Sequence, residues 1–253
     1  MQKWFEKGWR LAVLFLTVLC LIATAVSLAS CGKIAEKKNT PSVIICLTRH
    51  GETDANLAGI YSRNVGTPAL TEAGKEQART LGQAVSFIPF DRAFASEMQR
   101  TQETEKIILE ENENPAPDIE VRAGFDEIAF GKADGMTSAE AAKTFGDNLF
   151  GTVDDEAFVS PTGGETAYTF AKRYHEAMTD LAEDSENAGK TLLVTGHSSA
   201  GWWLQSLWPD RCGESLKNGS FTVLRYQGGN WSLLLYNETD FTDFAEKYKE
   251  AVQ

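Results

Sequence analysis

The chain has 253 residues, which is enough for one large domain or two small ones. Its composition is that of an ordinary globular protein, without low-complexity stretches or internal repeats. The formal net charge of −12 argues against a nucleic-acid partner, because an extended phosphate backbone is bound by a basic face. A small phosphorylated ligand is compatible with this charge, since it needs only a local cationic pocket.

The first thirty residues have the pattern of an export signal. Lys3, Lys7 and Arg10 precede a long apolar run, LAVLFLTVLCLIATAVSLAS. The run is also long enough to span a bilayer, so an uncleaved membrane anchor is the alternative interpretation. The junction LASCG favours cleavage, because it resembles a bacterial lipobox, in which small residues precede a cysteine that is lipidated. We therefore predict a signal peptide over residues 1–30 and lipidation of Cys31.

The stretch after the lipobox is polar and ends at Pro41. We interpret residues 31–41 as a lipidated N-terminus and flexible tether, and residues 42–253 as the folded domain. Lipidation at Cys31 supplies at least two acyl chains, and two chains anchor a protein stably. The predicted location is therefore the extracytoplasmic face of a cell membrane.

Two further cysteines lie within the predicted domain. Cys46 falls in the first predicted strand, and Cys212 follows a predicted helix. We expect both to be free thiols, with a disulfide between them as the alternative. No pair of cysteines has the spacing of metal ligands, so no metal site is predicted.

Strands and helices alternate along the first half of the domain. The apolar, β-branched run at 42–49 predicts a buried strand, and DRAFAS predicts a second strand. Helices are predicted for LTEAGKEQARTLGQAVSF, with Thr71 as the N-cap, and for MQRTQETEKIILEE. Residues 111–164 are rich in Asn, Pro, Gly and acidic residues and contain only short candidates, so we interpret them as an insertion that covers the sheet.

The second half continues the alternation. A long helix is predicted for GETAYTFAKRYHEAMTDLAED, a buried strand for KTLLVTGH and a helix for SAGWWLQSLW. SFTVLRYQGGNWSLLLYN predicts two strands joined by a Gly-Gly turn, and an amphipathic segment, DFTDFAEKYKEAV, closes the chain. This order predicts a three-layer α/β/α fold with a mostly parallel central sheet.

Basic side chains follow the ends of three predicted strands. His50 follows the first strand, in TRHGET, and His197 ends KTLLVTGH, while Arg100 lies just beyond the second strand. Because parallel strands end at the same edge of a sheet, we expect these residues and Arg49 to meet there. Two arginines and two imidazoles would form a pocket for a compact dianion, since arginine binds phosphate oxygens bidentately. Gly51 is expected to let the backbone approach the ligand closely.

These segments together resemble the histidine phosphatase superfamily, in its phosphoglycerate-mutase-like branch. The resemblance covers most of residues 42–236, and the motifs occur in the family's order. They are TRHGET, PALTEAGKEQA, SEMQRTQET, FDEIAFGKADGMT, PTGGET and LLVTGHS. The RHGxRxP and His-Asp motifs of the acid-phosphatase and phytase branch are absent, which favours the mutase-like branch.

The resemblance implies the role of each catalytic residue. It makes His50 the nucleophile that becomes phosphohistidine. It makes Arg49, Arg100 and His197 the clamp that holds the phosphate. Glu127 matches the proton donor. The resemblance implies no metal and no cofactor, since the arginines supply the positive charge.

Other residues are assigned to substrate binding or to packing. Asn56 matches a phosphate-contacting asparagine, and Ser198 is predicted to bind substrate, although the family often has glycine after its second histidine. The region around IYSRNVG also departs from the family. His175 lies in a predicted helix without a partner motif and is interpreted as structural. Trp202 and Trp203 are interpreted as packing residues, with substrate stacking as the alternative.

The function implied by the resemblance is hydrolysis of a small phosphorylated substrate. A phosphoglycerate-type mutase is one alternative, but export argues against it because glycolytic intermediates are cytosolic. A non-catalytic lipoprotein that binds a phosphorylated ligand is another, although a binder would not need Glu127. The predicted partners are this substrate and, through the lipid on Cys31, a membrane; no nucleic acid is expected.

Overall fold

The computed structural model describes residues 40–63, 68–213 and 215–253. The predicted signal peptide, Cys31 and all but the last two residues of the predicted tether lie outside the described residues. Contacts between residues place Ser42–Tyr226 and Trp231–Gln253 in one compact unit. The functional site lies in this unit.

Six strands form one sheet in the order β3-β2-β4-β1-β5-β6. Their bounds are β1 Val43–Arg49, β2 Arg92–Ala95, β3 Ile119–Val121, β4 Thr191–Gly196, β5 Phe221–Gln227 and β6 Asn230–Glu238. The pairs β3-β2, β2-β4 and β4-β1 are parallel, whereas β5 runs antiparallel to β1. The sheet is therefore mixed and mostly parallel, as predicted.

The register of the three central strands brings their carboxyl ends together. Arg49, the last residue of β1, pairs with Gly196, the last residue of β4. Ala95, at the end of β2, pairs with Thr195 of β4. The residues that follow these strands therefore emerge side by side at one edge, which is where open α/β sheets bind ligands.

Seven α-helices accompany the sheet in the described part of the chain. They are α1 Asp54–Leu57, α2 Glu72–Ala84, α3 Gln99–Glu110, α4 Ser138–Phe145, α5 Ala167–Glu183, α6 Ala200–Leu207 and α7 Phe244–Val252. The predicted N-cap of α2 is confirmed, because the Thr71 hydroxyl accepts a hydrogen bond from the Gly74 amide at 2.9 Å. None of the described helices is both long enough and apolar enough to cross a membrane.

The sheet is covered on both faces, which makes the fold three-layered. Along β1, Ile45 and Leu47 pack into one apolar cluster with α5 and α6, whereas Cys46 packs into another with α2, α3 and α7. Strands buried on both faces read as continuous apolar runs, and this explains the sequence pattern of β1 and β4. Cys212 belongs to the cluster opposite Cys46, so the two thiols are free, as expected.

The segment 111–164 contains only short elements, as predicted, but it is built into the core. β3 joins the edge of the sheet, with Ile119 paired to Ala93. Phe125, Ile128 and Phe130 are buried in the same cluster as α5 and α6. These contacts fix the position of the loop that carries Glu127.

Candidate active site

A cavity of about 590 Å³ opens at the carboxyl edge of the sheet. It is lined by most of the predicted site side chains, namely Arg49, His50, Asn56, Arg100, Glu127 and Ser198. His197 lies immediately beside them, since its ring is 5.2 Å from that of His50 in an edge-to-face arrangement. The structure therefore brings together all seven residues that the sequence predicts for one site.

His50 is held as a neutral imidazole with a defined tautomer. Its Nδ1 lies 2.7 Å from the Gly51 carbonyl oxygen, which can only accept, so Nδ1 carries the proton. Its Nε2 then accepts a hydrogen bond from Arg100 Nε at 3.1 Å. Burial, with a further contribution from Arg100 and Arg49, lowers the pKa of His50 well below its usual value. Nε2 is thus the unprotonated ring nitrogen, and its lone pair is engaged by Arg100.

His197 is also neutral, with the opposite tautomer. Its Nδ1 accepts from Arg100 Nη2 at 3.2 Å, so the proton is on Nε2, which donates to the Ser96 hydroxyl at 2.8 Å. Burial first, and then the charge of Arg100, lowers the pKa of His197 well below its usual value. Ser96 follows β2 directly at the same edge, and its place as the last residue of the predicted strand DRAFAS was the signal that could have located it there.

The two arginines, of which Arg100 is buried and Arg49 is partly buried, are anchored by backbone carbonyls. Arg100 Nη2 donates to the Ser62 carbonyl oxygen at 2.9 Å, and Arg49 Nη1 donates to that of Leu216 at 2.6 Å. The Nε–H of Arg49 is buried and has no hydrogen-bond partner among the described residues. Burial lowers the pKa of both guanidinium groups, and Glu127 opposes this effect. An anionic ligand would therefore satisfy a cationic site that the protein alone leaves incompletely paired.

Gly51 has no room for a side chain. A Cβ built on Gly51 would lie 2.2 Å from the carbonyl oxygen of Gly74, so a side chain would collide with the start of α2. The Gly51 amide also donates to the Thr104 hydroxyl of α3 at 3.1 Å. Close packing of two backbones explains this glycine and fixes the loop that holds His50.

Glu127 lines the cavity with its carboxylate oriented by neighbours. Oε1 accepts from the Ile128 amide at 3.0 Å and from the Ser199 hydroxyl. Oε2 lies 3.4 Å from the Ser198 hydroxyl and 3.9 Å from His197 Nδ1. Ser198 thus lines the cavity and contacts the carboxylate, and Ser199, which the sequence did not indicate as a site residue, orients it.

The two neighbouring acids, Asp126 and Glu165, are used differently. Asp126 accepts from the Glu97 amide at 2.9 Å and pairs with Arg63 at 3.4 Å. Glu165 pairs with Arg173, with Nε to Oε1 at 2.7 Å. Neither is among the cavity-lining residues, so Glu127 is the carboxyl of the three that can reach a ligand.

Arg63 and Asn218 support the site and were missed by sequence reasoning. Arg63 Nη1 donates to the Glu127 carbonyl oxygen at 2.6 Å, which holds the acid-bearing loop. Asn218 Nδ2 donates to the His50 carbonyl oxygen at 2.9 Å and to Asn56 Oδ1 at 3.1 Å. These contacts join segments far apart in the sequence, so no local sequence pattern predicts them.

His175 and Trp203 have the structural role predicted for them. Trp203 is fully buried, and its Nε1–H donates to His175 Nδ1 at 3.1 Å. Trp202, which was also interpreted as a packing residue, does pack against the core cluster, and it lines the cavity as well.

Comparison with known proteins decides the family. A family model described as histidine phosphatase superfamily (branch 1) matches residues 45–239. The chain belongs to this superfamily. An adenosylcobalamin/alpha-ribazole phosphatase of Salmonella typhimurium is 32% identical to this histidine phosphatase over 60% of the chain and 72% of the relative. A 2,3-bisphosphoglycerate-dependent phosphoglycerate mutase 2 of Gloeobacter violaceus is 31% identical over 62% of the chain and 71% of the relative.

Solved structures confirm the fold of this histidine phosphatase. A phosphoglycerate mutase from Bacillus anthracis matches with a TM-score of 0.70 at 21% identity, over 84% of this chain and 99% of that one. A putative alpha-ribazole-5'-P phosphatase from Escherichia coli matches with a TM-score of 0.64 at 23% identity, over 78% and 97% of the two chains. The relatives include both phosphatases and mutases, and the chain is an enzyme of the histidine phosphatase type.

Proposed function

We propose that this histidine phosphatase hydrolyses phosphomonoesters through a covalent phosphohistidine at His50. The observation that carries the proposal is the state of His50. It is a neutral imidazole at the cavity, its Nε2 carries a lone pair that accepts from Arg100, and the guanidinium groups of Arg49 and Arg100 lie close to it. A nucleophile that must attack a phosphate dianion needs both the free lone pair and the neutralising charge.

Phosphate binding would use the groups already in place. A phosphoryl group between His50 and the arginines would receive N–H donors from Arg49 and Arg100. Arg100 would exchange its hydrogen bond to His50 Nε2 for one to a phosphate oxygen, which frees the lone pair. Asn56 and Ser198 line the same cavity and would complete the binding of the phosphate.

The reaction then proceeds in two displacements. His50 Nε2 forms a bond to phosphorus, the bond from phosphorus to the ester oxygen breaks, and a protonated Glu127 gives its proton to the departing alcohol. In the second displacement Glu127 takes a proton from water, whose oxygen attacks phosphorus and releases His50 and inorganic phosphate. Acid–base assistance of this kind contributes about 10²–10⁴-fold.

The charges in the cavity favour hydrolysis over a mutase reaction. Moving a phosphoryl group between the hydroxyls of phosphoglycerate requires the site to hold the carboxylate as well as the phosphate. Among the described residues that line the cavity, the cations are Arg49 and Arg100, and both are adjacent to His50. The mutase remains the second candidate, because one of the relatives carries that name.

Product analysis separates these functions. We expect the purified enzyme to release inorganic phosphate from p-nitrophenyl phosphate with many turnovers, because the site contains a nucleophile, a clamp and an acid. With 3-phosphoglycerate, we expect any product to be inorganic phosphate and glycerate, as measured by ³¹P NMR. Conversion of 3-phosphoglycerate to 2-phosphoglycerate without phosphate release would instead establish a mutase, and stoichiometric binding without turnover would establish a binding protein.

We also propose that a lipid on Cys31 anchors the enzyme at the extracytoplasmic face of a membrane. The support is the sequence LASCG after a basic and apolar leader. A polar tether and a stable two-chain anchor would leave the catalytic unit facing outward.

The anchoring proposal predicts the effect of one substitution. Cys31→Ser should abolish incorporation of radioactive palmitate and leave an unprocessed precursor, because serine lacks the thiol that is acylated. Cys20→Ser is the matched control, since Cys20 lies in the predicted leader and should not affect labelling. Equal palmitate label in the Cys31→Ser protein and the wild type would show that the anchor is elsewhere or absent.

A further inference from the structure

Four aromatic side chains line the same cavity as the phosphate clamp. They are Tyr61, Phe130, Phe150 and Trp202, and we call them the aromatic wall. Tyr61 stacks on Phe130 with ring centroids 4.8 Å apart, Phe150 meets Tyr61 edge to face at 5.7 Å, and Trp202 lies 5.3 Å from Phe150. The rings therefore form one continuous apolar surface.

The aromatic wall packs on the protein core on one side and faces the cavity on the other. Phe130 is nearly buried, and Trp202 packs edge to face on the buried Phe170 at 6.1 Å. Tyr61, Phe150 and Trp202 themselves stay partly exposed. Because the rings hold each other in place, an incoming group would find a preformed surface and would not need to order it.

The remaining lining of the cavity is almost uncharged. Among the described residues, its cations are the two arginines assigned to the phosphate, and its one carboxyl is that of Glu127. The other polar groups include the hydroxyls of Ser62, Ser138 and Ser215.

We propose that the preferred substrates are phosphomonoesters of an uncharged alcohol that carries an aromatic ring, and that the ring packs on the aromatic wall. The proposal rests on the phosphatase function proposed above. An aromatic ring would bury apolar area and meet the wall in stacked or edge-to-face geometry. A carboxylate or second phosphate on the alcohol would be desolvated against these rings without a cation to pair with.

The substrate comparison uses three alkyl esters and the purified full-length protein. 2-Phenylethyl phosphate and propyl phosphate release similarly basic alkoxides. A difference in kcat/KM between them therefore measures the effect of the aromatic ring and not that of the leaving group. We expect kcat/KM for 2-phenylethyl phosphate to exceed that for propyl phosphate by roughly tenfold or more. We expect 3-phosphoglycerate, whose alcohol is anionic, to be poorer than propyl phosphate.

Variants of the wall test whether it causes this preference. Trp202→Ala should lower kcat/KM for 2-phenylethyl phosphate by roughly tenfold while changing that for propyl phosphate by no more than about twofold. Trp208→Ala is the matched control, because Trp208 is also partly exposed and adjoins α6 but does not line the cavity. Phe150→Leu, which keeps an apolar side chain, should also reduce the preference and guards against a folding defect in Trp202→Ala.

The outcomes distinguish the two proposals. If the wild type releases phosphate from all three esters with equal kcat/KM, or if Trp202→Ala and Phe150→Leu reduce both alkyl monoesters equally, the aromatic preference is wrong and the phosphatase function stands. If no ester releases phosphate, the phosphatase function is wrong and the inference fails with it.

Discussion

His50→Ala should reduce phosphatase turnover by at least about 10⁴-fold, because it removes the atom that forms the bond to phosphorus. The protein should still fold. His50 follows β1 in a loop, and its side chain contributes two hydrogen bonds rather than packing into either apolar cluster. Leaving the buried Nε–H of Arg100 unpaired should lower the free energy of unfolding by about 1–3 kcal/mol.

The covalent intermediate provides a second measurement of this step. After rapid mixing with a ³²P-labelled ester and quenching without acid, wild-type protein should carry label that is stable to base and labile to acid. The label should map to the peptide that contains TRHGET and should be absent from His50→Ala. His175→Ala is the matched control, because His175 lies outside the cavity and should not be needed for labelling. Substantial activity in His50→Ala, or label on His197, would exclude His50 as the nucleophile.

Much of this fold could be predicted because its strands are buried on both faces. Such strands appear in the sequence as short continuous apolar runs, which distinguished β1 and β4 from the helices that follow them. The three-residue strand β3 escaped prediction because Ile119, Glu120 and Val121 are too few to show a period. It is defined by pairing with β2 and not by any property of its own residues.

The site residues that directly follow the central strands were predictable, because the sheet topology places them at one edge. Residues that follow parallel strands share an edge, so His50 and His197 could be expected to meet without knowledge of any distance. A strand end can locate a supporting residue such as Ser96 at this edge, but no local pattern encodes which site residue it contacts. Ser96 meets His197 across 101 positions of sequence, and Asn218 meets His50 across 168.

The sequence also did not predict which side chains of α6 face the core. Trp202 and Trp203 are adjacent on α6, and nothing in their identity says which one faces the core. The structure buries Trp203 against His175 and leaves Trp202 at the cavity. Successive helical residues point about 100° apart, so the packing of α6 on α5 decides between the two.

The loop carboxyl Glu127 was identified by resemblance, and its placement now gives a sharp test of its role. An alkyl alcohol leaves as a strongly basic alkoxide and needs a proton, whereas nitrophenolate is stable as an anion and needs it much less. Glu127→Gln should therefore slow phosphorylation of His50 by alkyl phosphates by about 10²-fold or more. Phosphorylation by p-nitrophenyl phosphate should fall far less.

Pre-steady-state rates are the quantity to compare. Glutamine also lacks the base that would activate water, so a slow second displacement would mask the difference between the substrates at steady state. The substitution is nearly isosteric, and a glutamine oxygen can keep the hydrogen bonds from the Ile128 amide and the Ser199 hydroxyl. The position of the loop should therefore change little. The change in the phosphorylation rate should then measure the loss of the proton that Glu127 donates.

Glu165→Gln is the matched control for Glu127→Gln. Glu165 pairs with Arg173 and accepts from the Ala129 amide at 2.8 Å, so it supports the same loop without lining the cavity. Its replacement should reduce phosphorylation by both substrate classes to the same degree, because a displaced loop disturbs binding whatever the leaving group. If Glu127→Gln also caused equal losses on alkyl and nitrophenyl esters, Glu127 would only position the phosphate or the loop. The proton would then have to come from a different group.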